Sequence, residues 1–323
     1  MIVVSGSSRH TLPLVIKLPP LLSLSVMPIP NFAASAYRHI ERLNPSRLND
    51  FMPLYLQQQP VGWVTPQFAT ELCRQREVFQ LRTARSPYGH ALWLEEDFAT
   101  PTALTHWLDQ LNSELIDAGL FSHTTGEYYP LGPRRSLPVG LIDRACVARY
   151  GIRSYGQHLN GYVIDDSGNM SMWIAKRDNN RFHEPGKLDQ LVAGGVPAQI
   201  SLAQNLLKES QEEASIPAEL VRQAKAVGTI SYCAATEGGL KPDLIFNYDL
   251  QLPQHFTPHN NDGEVERFML LPIAEVAERV RDTDQFKHNC NLVIIDFLLR
   301  HGLLSDEEEL YPELVSGLHP ALP

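Results

Sequence analysis

The chain has 323 residues, 43% hydrophobic and 20% charged, which is enough to bury a core and to divide into two domains. A formal net charge of −10 argues against nonspecific nucleic-acid binding, which needs a basic surface to neutralise phosphates. Four scattered cysteines (Cys73, Cys146, Cys233 and Cys290) with no Cys-x-x-Cys disfavour a zinc site and fit reduced thiols in a cytoplasmic setting.

In chain order, the opening run "TLPLVIKLPPLLSLSV" is apolar, but three prolines and Lys17 interrupt it too often for a membrane span. Ala34-Ser35-Ala36 could mimic a signal-peptide cleavage site, so a targeting segment is one reading. The preferred reading starts the protein at Met27 and treats residues 1–26 as a misread or a disordered extension; the whole of 1–36 is left outside the folded domains, whose pattern begins near Tyr37. Residues 37–140 then read as a smaller α+β domain. Helices are expected over 36–42, 66–76 and 102–118, the last with Leu104, Trp107, Leu108, Leu111 and Leu115 on one face. "TTGEYYPLGPRR" reads as a turn-rich connector into a second domain over 141–300. There "GQHLNGYVIDDSGNMSMWIAKRD" alternates like two strands about a turn at 166–168, and "AVGTISYCAATEGGLKPDLIFNYDLQL" like two more about a glycine turn. His255 and His259 fall among Pro and Asn and read as loop residues. "NLVIIDFLLRHGLL" reads as an amphipathic closing helix, and 301–323 as an exposed acidic tail. No internal repeat and no Walker-type or dinucleotide-binding glycine motif is present.

The chemistry concentrates in "GGVPAQISLAQNLLKESQEEASIP". Ser201 and Gln204 form a capping-box pair, Ala203, Leu206, Leu207, Ser210 and Ala214 make a helical stripe, and Pro217 ends it. Glu209, Glu212 and Glu213 share one face in the last turns, where like charges and the negative end of the macrodipole both oppose them. A hard divalent cation would reverse that sign; the bland alternative is a solvated acidic face.

With the glycines upstream, this stretch resembles a Nudix box: Gly, five residues, Glu, seven residues, then Arg-Glu-apolar-x-Glu-Glu-x-Gly-apolar. Gly194 takes the first position and Lys208 to Ile216 the second half in register. Four positions depart. Ile200 replaces the first Glu, Lys208 the Arg, Ser210 an apolar residue and Ser215 the closing Gly. Lys208 keeps the charge but loses the bidentate fork, and Ser215 strains a left-handed cap that glycine adopts easily. The flanks are similar to one Nudix subgroup, the thiamine-diphosphate-related hydrolases with an N-terminal DUF4743-type domain. They carry the His-x-Asn-Gly-Tyr-Val strand at 158–163, the Pro-Gly-x-Leu-Asp turn at 185–189, the Ala-Gly-Gly entry at 193–195 and an upstream Val-Gly-Trp-Val. The likeness runs from about residue 43 to 299.

The resemblance implies an α+β fold, a Nudix α/β/α sandwich with a mixed sheet behind the smaller domain. It also implies a metal-dependent diphosphate hydrolase using Mg²⁺ or Mn²⁺. Glu209 and Glu213 are then the direct metal ligands, with Glu212 close behind and the Gly194 backbone beside them. The general base is Glu213 itself or Glu264; Glu264 and Glu266 flank Val265 and so share a strand face. His158 and Asn160, on one face of a strand, and Arg177 and Lys187, on the approach to the box, are substrate-binding candidates. Trp173 and Tyr232 could stack on a ring. The ordinary alternatives are satisfied core polar groups, surface cations and core aromatics. The partner expected is a small-molecule diphosphate, thiamine diphosphate or a damaged analogue, with no nucleic acid and no membrane; a homodimer stays open. The alternatives are a nucleoside diphosphate derivative as substrate, a catalytically silent binding protein of the same fold, and last an isomerase, for which no suitably placed Cys–Glu pair is evident.

Overall fold

A computed structural model describes residues 29–45, 48–86, 88–181 and 183–323. The proposed extension over 1–26 and the start at Met27 lie outside the described residues, but residues 32–36, expected to precede the folded pattern, are helical with Phe32, Ala33 and Ala36 buried.

The N-terminal unit is built on a four-stranded sheet. Its strands are β1 (Met52–Leu56), β2 (Gln59–Val64), β3 (Phe79–Thr83) and β4 (His90–Leu94), in the order β2-β1-β4-β3, with β1 and β4 parallel. Helix α1 (Phe32–Leu43) precedes it in the chain. Thr65 caps α2 (Pro66–Gln75) by accepting the Phe68 amide, and Thr100 caps α3 (Pro101–Asp117) by accepting that of Ala103. Proline stands in the first turn of both, where its missing N–H costs nothing. Leu104, Leu108, Leu111 and Leu115 line the buried face of α3, each contributing about 1.5–3 kcal/mol by leaving water. Trp107, expected on that face, packs against it half-buried. The stretch expected as a connector is instead a hairpin, β5 (Tyr128–Leu131) with β6 (Gly140–Asp143). The Asp143 carboxylate accepts the Thr125, Gly126 and Ala145 amides and fixes its base.

After the short α4 (Val147–Tyr150) comes the mixed sheet. Its strands are β7 (Ser154–Ile164), β8 (Met170–Arg177), β9 (Leu188–Asp189), β10 (Val192–Gly195), β11 (Lys225–Thr236), β12 (Gly239–Gln251) and β13 (Val265–Pro272). The main order is β11-β12-β7-β8-β13; β12 runs parallel to β7, and β10 and β9 pair with β7 and β8. Helix α5 (Leu202–Ala214), followed by α6 (Ala218–Val221), covers one face; α7 (Ile273–Asp282) and α8 (His288–Arg300) cover the other. This α/β/α layering is the sandwich expected.

Three expectations change. Helix α1 does not join the N-terminal core: Phe32, Ala36 and Ile40 pack with α7, α8 and α9 (Tyr311–Gly317). The 301–323 segment is not an exposed tail. Leu303, Leu304, Leu314 and Leu318 are buried, and Ser231 donates its amide to the Leu318 carbonyl at 3.0 Å. Helix α8 is not amphipathic but buried continuously from Cys290 to Leu298, sandwiched between the sheet and α1. Among the described residues no helix is long and apolar enough to cross a membrane.

Candidate active site

The acidic helix α5 starts on the capping box: Gln204 donates its amide to the Ser201 hydroxyl, and the Gln204 side-chain oxygen accepts the Ser201 amide. Asn205 then pins the helix, donating to the Gln157 side chain at 2.8 Å and to the Gly195 carbonyl at 3.0 Å. Leu206, Ser210 and Ala214 face the sheet while Ala203 is exposed, so the stripe is narrower than its spacing suggests. The helix ends at Ser215 in the left-handed region, φ 53° and ψ 34°, and its hydroxyl donates to the His259 carbonyl at 2.7 Å.

Two acids of this helix converge on the glycine strand. Glu213 is 8% exposed and accepts the Ala193 amide at 2.9 Å. Burial pushes its carboxyl up to about 8, Asp189, Glu209 and Glu264 add to the rise, and the Ala193 amide opposes it. Glu209 lies against Gly194: a Cβ there would stand 2.7 Å from Glu209 Oε2, so only glycine lets the strand and this side chain meet unshifted. Burial also raises the Glu209 carboxyl, and Lys208 opposes that shift. Two crowded carboxyls beside a close-approaching backbone form an oxygen-rich donor set that a hard divalent cation suits.

Glu212 does not converge. Its side chain is 48% exposed, and Lys208 Nζ bridges outward between Glu209 at 3.1 Å and Glu212 at 3.0 Å. Glu264 stands just before β13, near enough for its charge to act on Glu209 and Glu213, and it pairs with Arg181. The expected face-sharing with Glu266 fails because β13 bulges between Val265 and Arg267, which turns Glu266 to Lys176.

A family of unknown function, DUF4743, matches residues 35–154. The chain is 38% identical to "Nudix hydrolase 20, chloroplastic" of Arabidopsis thaliana, over 87% of this chain and 77% of that protein. It is 40% identical to "Nudix hydrolase 24, chloroplastic" of the same plant, over 84% of this chain and 73% of that one. The chain belongs to the Nudix hydrolase family. Among solved structures it is also similar to the Nudix domain of Shewanella oneidensis NrtR, at 14% identity and a TM-score of 0.37, over 47% of this chain and 90% of that chain.

Around the Nudix box, the substrate candidates named from sequence are mostly engaged within the fold. His158 is buried, shares a 2.7 Å hydrogen bond with Gln190, and is lowered to about 4 by burial and the Lys287 charge. Asn160 donates to Asp249 at 3.0 Å. Arg177 pairs with Asp189 at 3.0 Å and donates to the His183 and Glu184 carbonyls. Lys187 turns to the Asp284 carbonyl, lining a separate cavity of ≈ 720 Å³ with Lys176, Arg267 and Arg279. Trp173 is a core aromatic. The Tyr232 hydroxyl donates to Asp243 at 2.7 Å rather than facing a ring.

His158, Asp189 and Cys290 offer ligand atoms within 4.8 Å of one another. The Cys290 thiol donates to Asp189 at 2.8 Å and burial raises its pKa, while Arg177 and Lys287 already supply two positive charges to Asp189. That knot therefore has no charge for a cation to balance. Sequence reading missed Tyr129 and Arg144, which the N-terminal hairpin brings toward the box. Their charges and dipoles act on Glu209 and Glu264 across more than sixty residues of chain, a relation with no local spacing.

Proposed function

We propose that the protein is a divalent-cation-dependent hydrolase of a diphosphate linkage, acting on thiamine diphosphate or a damaged analogue to give the monophosphate and phosphate. The observation that carries the reading is the convergence of Glu209 and Glu213 on the backbone of Ala193 and Gly194. Mg²⁺ or Mn²⁺ held by Glu209, Glu213 and the Gly194 carbonyl would neutralise diphosphate charge and acidify bound water. Glu213 orients through the Ala193 amide. Glu264, on the rim, is the candidate base, with Arg181 as its resting partner. Glu212, facing outward with Lys208, has the lesser role of tuning Glu209.

The substrate class rests on the strand over 158–163, the turn over 185–189 and the DUF4743 match upstream. His158, Asn160 and Arg177 then act as the scaffold of the pocket wall rather than as direct contacts. The two-domain division, 37–140 and 141–300, is read as a roof and a catalytic body, with α1 assigned to the body.

The test is phosphate release with Mg²⁺ or Mn²⁺ from thiamine diphosphate, its damaged analogues, ADP-ribose and dinucleoside polyphosphates at equal concentration. Preference for a thiamine compound is expected. A preference for ADP-ribose of about tenfold, roughly 1.4 kcal/mol in the transition state, would move the enzyme to the nucleoside class.

A further inference from the structure

The β5–β6 hairpin of the N-terminal unit reaches the box at Tyr129. Ala198 donates its amide to the Tyr128 carbonyl at 2.7 Å, and Arg135 donates to the carbonyls of Pro197 and Ile200. These bonds clamp the hairpin to the loop between β10 and α5. The Tyr129 ring belongs to the N-terminal core and is 5% exposed, so its direction is fixed.

Its hydroxyl lies on Gly195. An ideal Cβ at that residue would fall 1.9 Å from Tyr129 Oη, so the phenol fills the space a side chain would need. Gly195 pairs across the ladder with Gly156, which leaves bare backbone beside the phenol. The preceding residue, Gly194, is the one that fronts Glu209.

Among the described residues the Tyr129 hydroxyl has no protein hydrogen-bond partner. A phenylalanine would fill the same apolar space without a polar atom. The ring is buried but the hydroxyl is not sealed from water, so it needs no protein partner and stays open to a ligand atom. The hydroxyl therefore stands where a ligand atom can complete it. Arg144, which follows β6 on the same hairpin and pairs with Glu127 at 2.6 Å, adds a positive charge that acts on the phenol, alongside the negative charges of Glu127, Asp243 and Glu209. A donor hydroxyl with a guanidinium acting on it suits a phosphate oxygen, and a cation held by the box acids would offset the neighbouring carboxylates.

We propose that the Tyr129 hydroxyl donates a hydrogen bond to the diphosphate of the bound substrate, so that the N-terminal unit completes a site built on the other unit. This rests on the diphosphate-hydrolase reading, and the experiment separates the two. Imidodiphosphate, which is not hydrolysed, is titrated with Mg²⁺ into the full chain and into Tyr129→Phe by calorimetry. The dissociation constant should rise about tenfold in Tyr129→Phe with Tm unchanged. Equal affinities, or no binding to either protein, would overturn the proposal. Tyr129-dependent binding by a chain that hydrolyses none of the substrates would uphold it while refuting the hydrolase reading.

A second pair of variants tests the contact itself. Gly195→Ala should lower Tm in the native chain, and Tyr129→Phe should restore most of that loss, because the nearest remaining ring atom is then 3.2 Å from the new methyl. No restoration would show that the hydroxyl does not lie on Gly195.

Discussion

Glu213 accepts the Ala193 amide at 2.9 Å, so the acidic helix and the glycine strand are joined at the same buried carboxyl that burial pushes up to about 8. Glutamine is nearly isosteric and keeps an oxygen for that amide. Glu213→Gln should therefore fold normally and lose turnover by about a hundredfold or more, roughly 2.7 kcal/mol in the barrier. Steady-state phosphate release beside a thermal melt checks this. Full turnover would remove Glu213 from the site.

The same carboxyl gives a pH signature in the metal-free protein. Its folded pKa lies above the ordinary 4.5, so the protonated form is favoured by folding. That contribution is complete below about pH 4.5 and is lost as pH rises through about 8. Measured in EDTA, the stability of Glu213→Gln relative to the native chain should increase between pH 5 and 8, by at most about 1.4 kcal/mol per unit. The comparison cancels buried His39 and His158. Each is lowered to about 4, so their contribution is present above about 6.5 and is lost as pH falls through 4. A flat difference across that window would contradict the burial of Glu213.

Ser215 holds a left-handed cap where the family pattern has glycine. Ser215→Gly should be neutral or stabilising by up to about 1 kcal/mol, since relief of strain is set against the lost bond to the His259 carbonyl. Ser215→Ala keeps the strain and loses the bond, and should cost about 1 kcal/mol. Urea unfolding of the two variants decides the order; alanine above glycine would mean the cap is unstrained.

What could be read from sequence was what local spacing encodes. Periodicity gave α2, α3 and α5, alternation gave β7 with β8 and β11 with β12, and the box register put Glu209 and Glu213 together. What escaped depends on tertiary partners. Nothing in "NLVIIDFLLRHGLL" says that α1 will cover its outer face, and an acid-rich tail hides the four leucines that bury it. Glu264 and Glu266 alternate in sequence, but a bulge at Glu266 breaks the phase. Glu212 sits at the same helical spacing as its neighbours, yet faces solvent because Lys208 holds it outward.

The packing of the tail is itself testable. Leu314 is fully buried between α9 and the rest of its core cluster. Leu314→Ala should cost about 2–5 kcal/mol, read as a lower urea midpoint at unchanged slope. A midpoint within error of the native chain would return the segment to solvent.

Under the proposed function, the Glu209–Glu213 pair beside Gly194 holds the divalent cation on which hydrolysis depends. The most direct measurement is phosphate release from the preferred diphosphate by EDTA-treated protein, before and after Mg²⁺ or Mn²⁺ is returned, in the native chain and in Glu213→Gln. No release is expected without metal, with full recovery in the native chain and recovery lower by about a hundredfold or more in the variant at the same metal concentration. Release that survives EDTA, or equal recovery in Glu213→Gln, would contradict it.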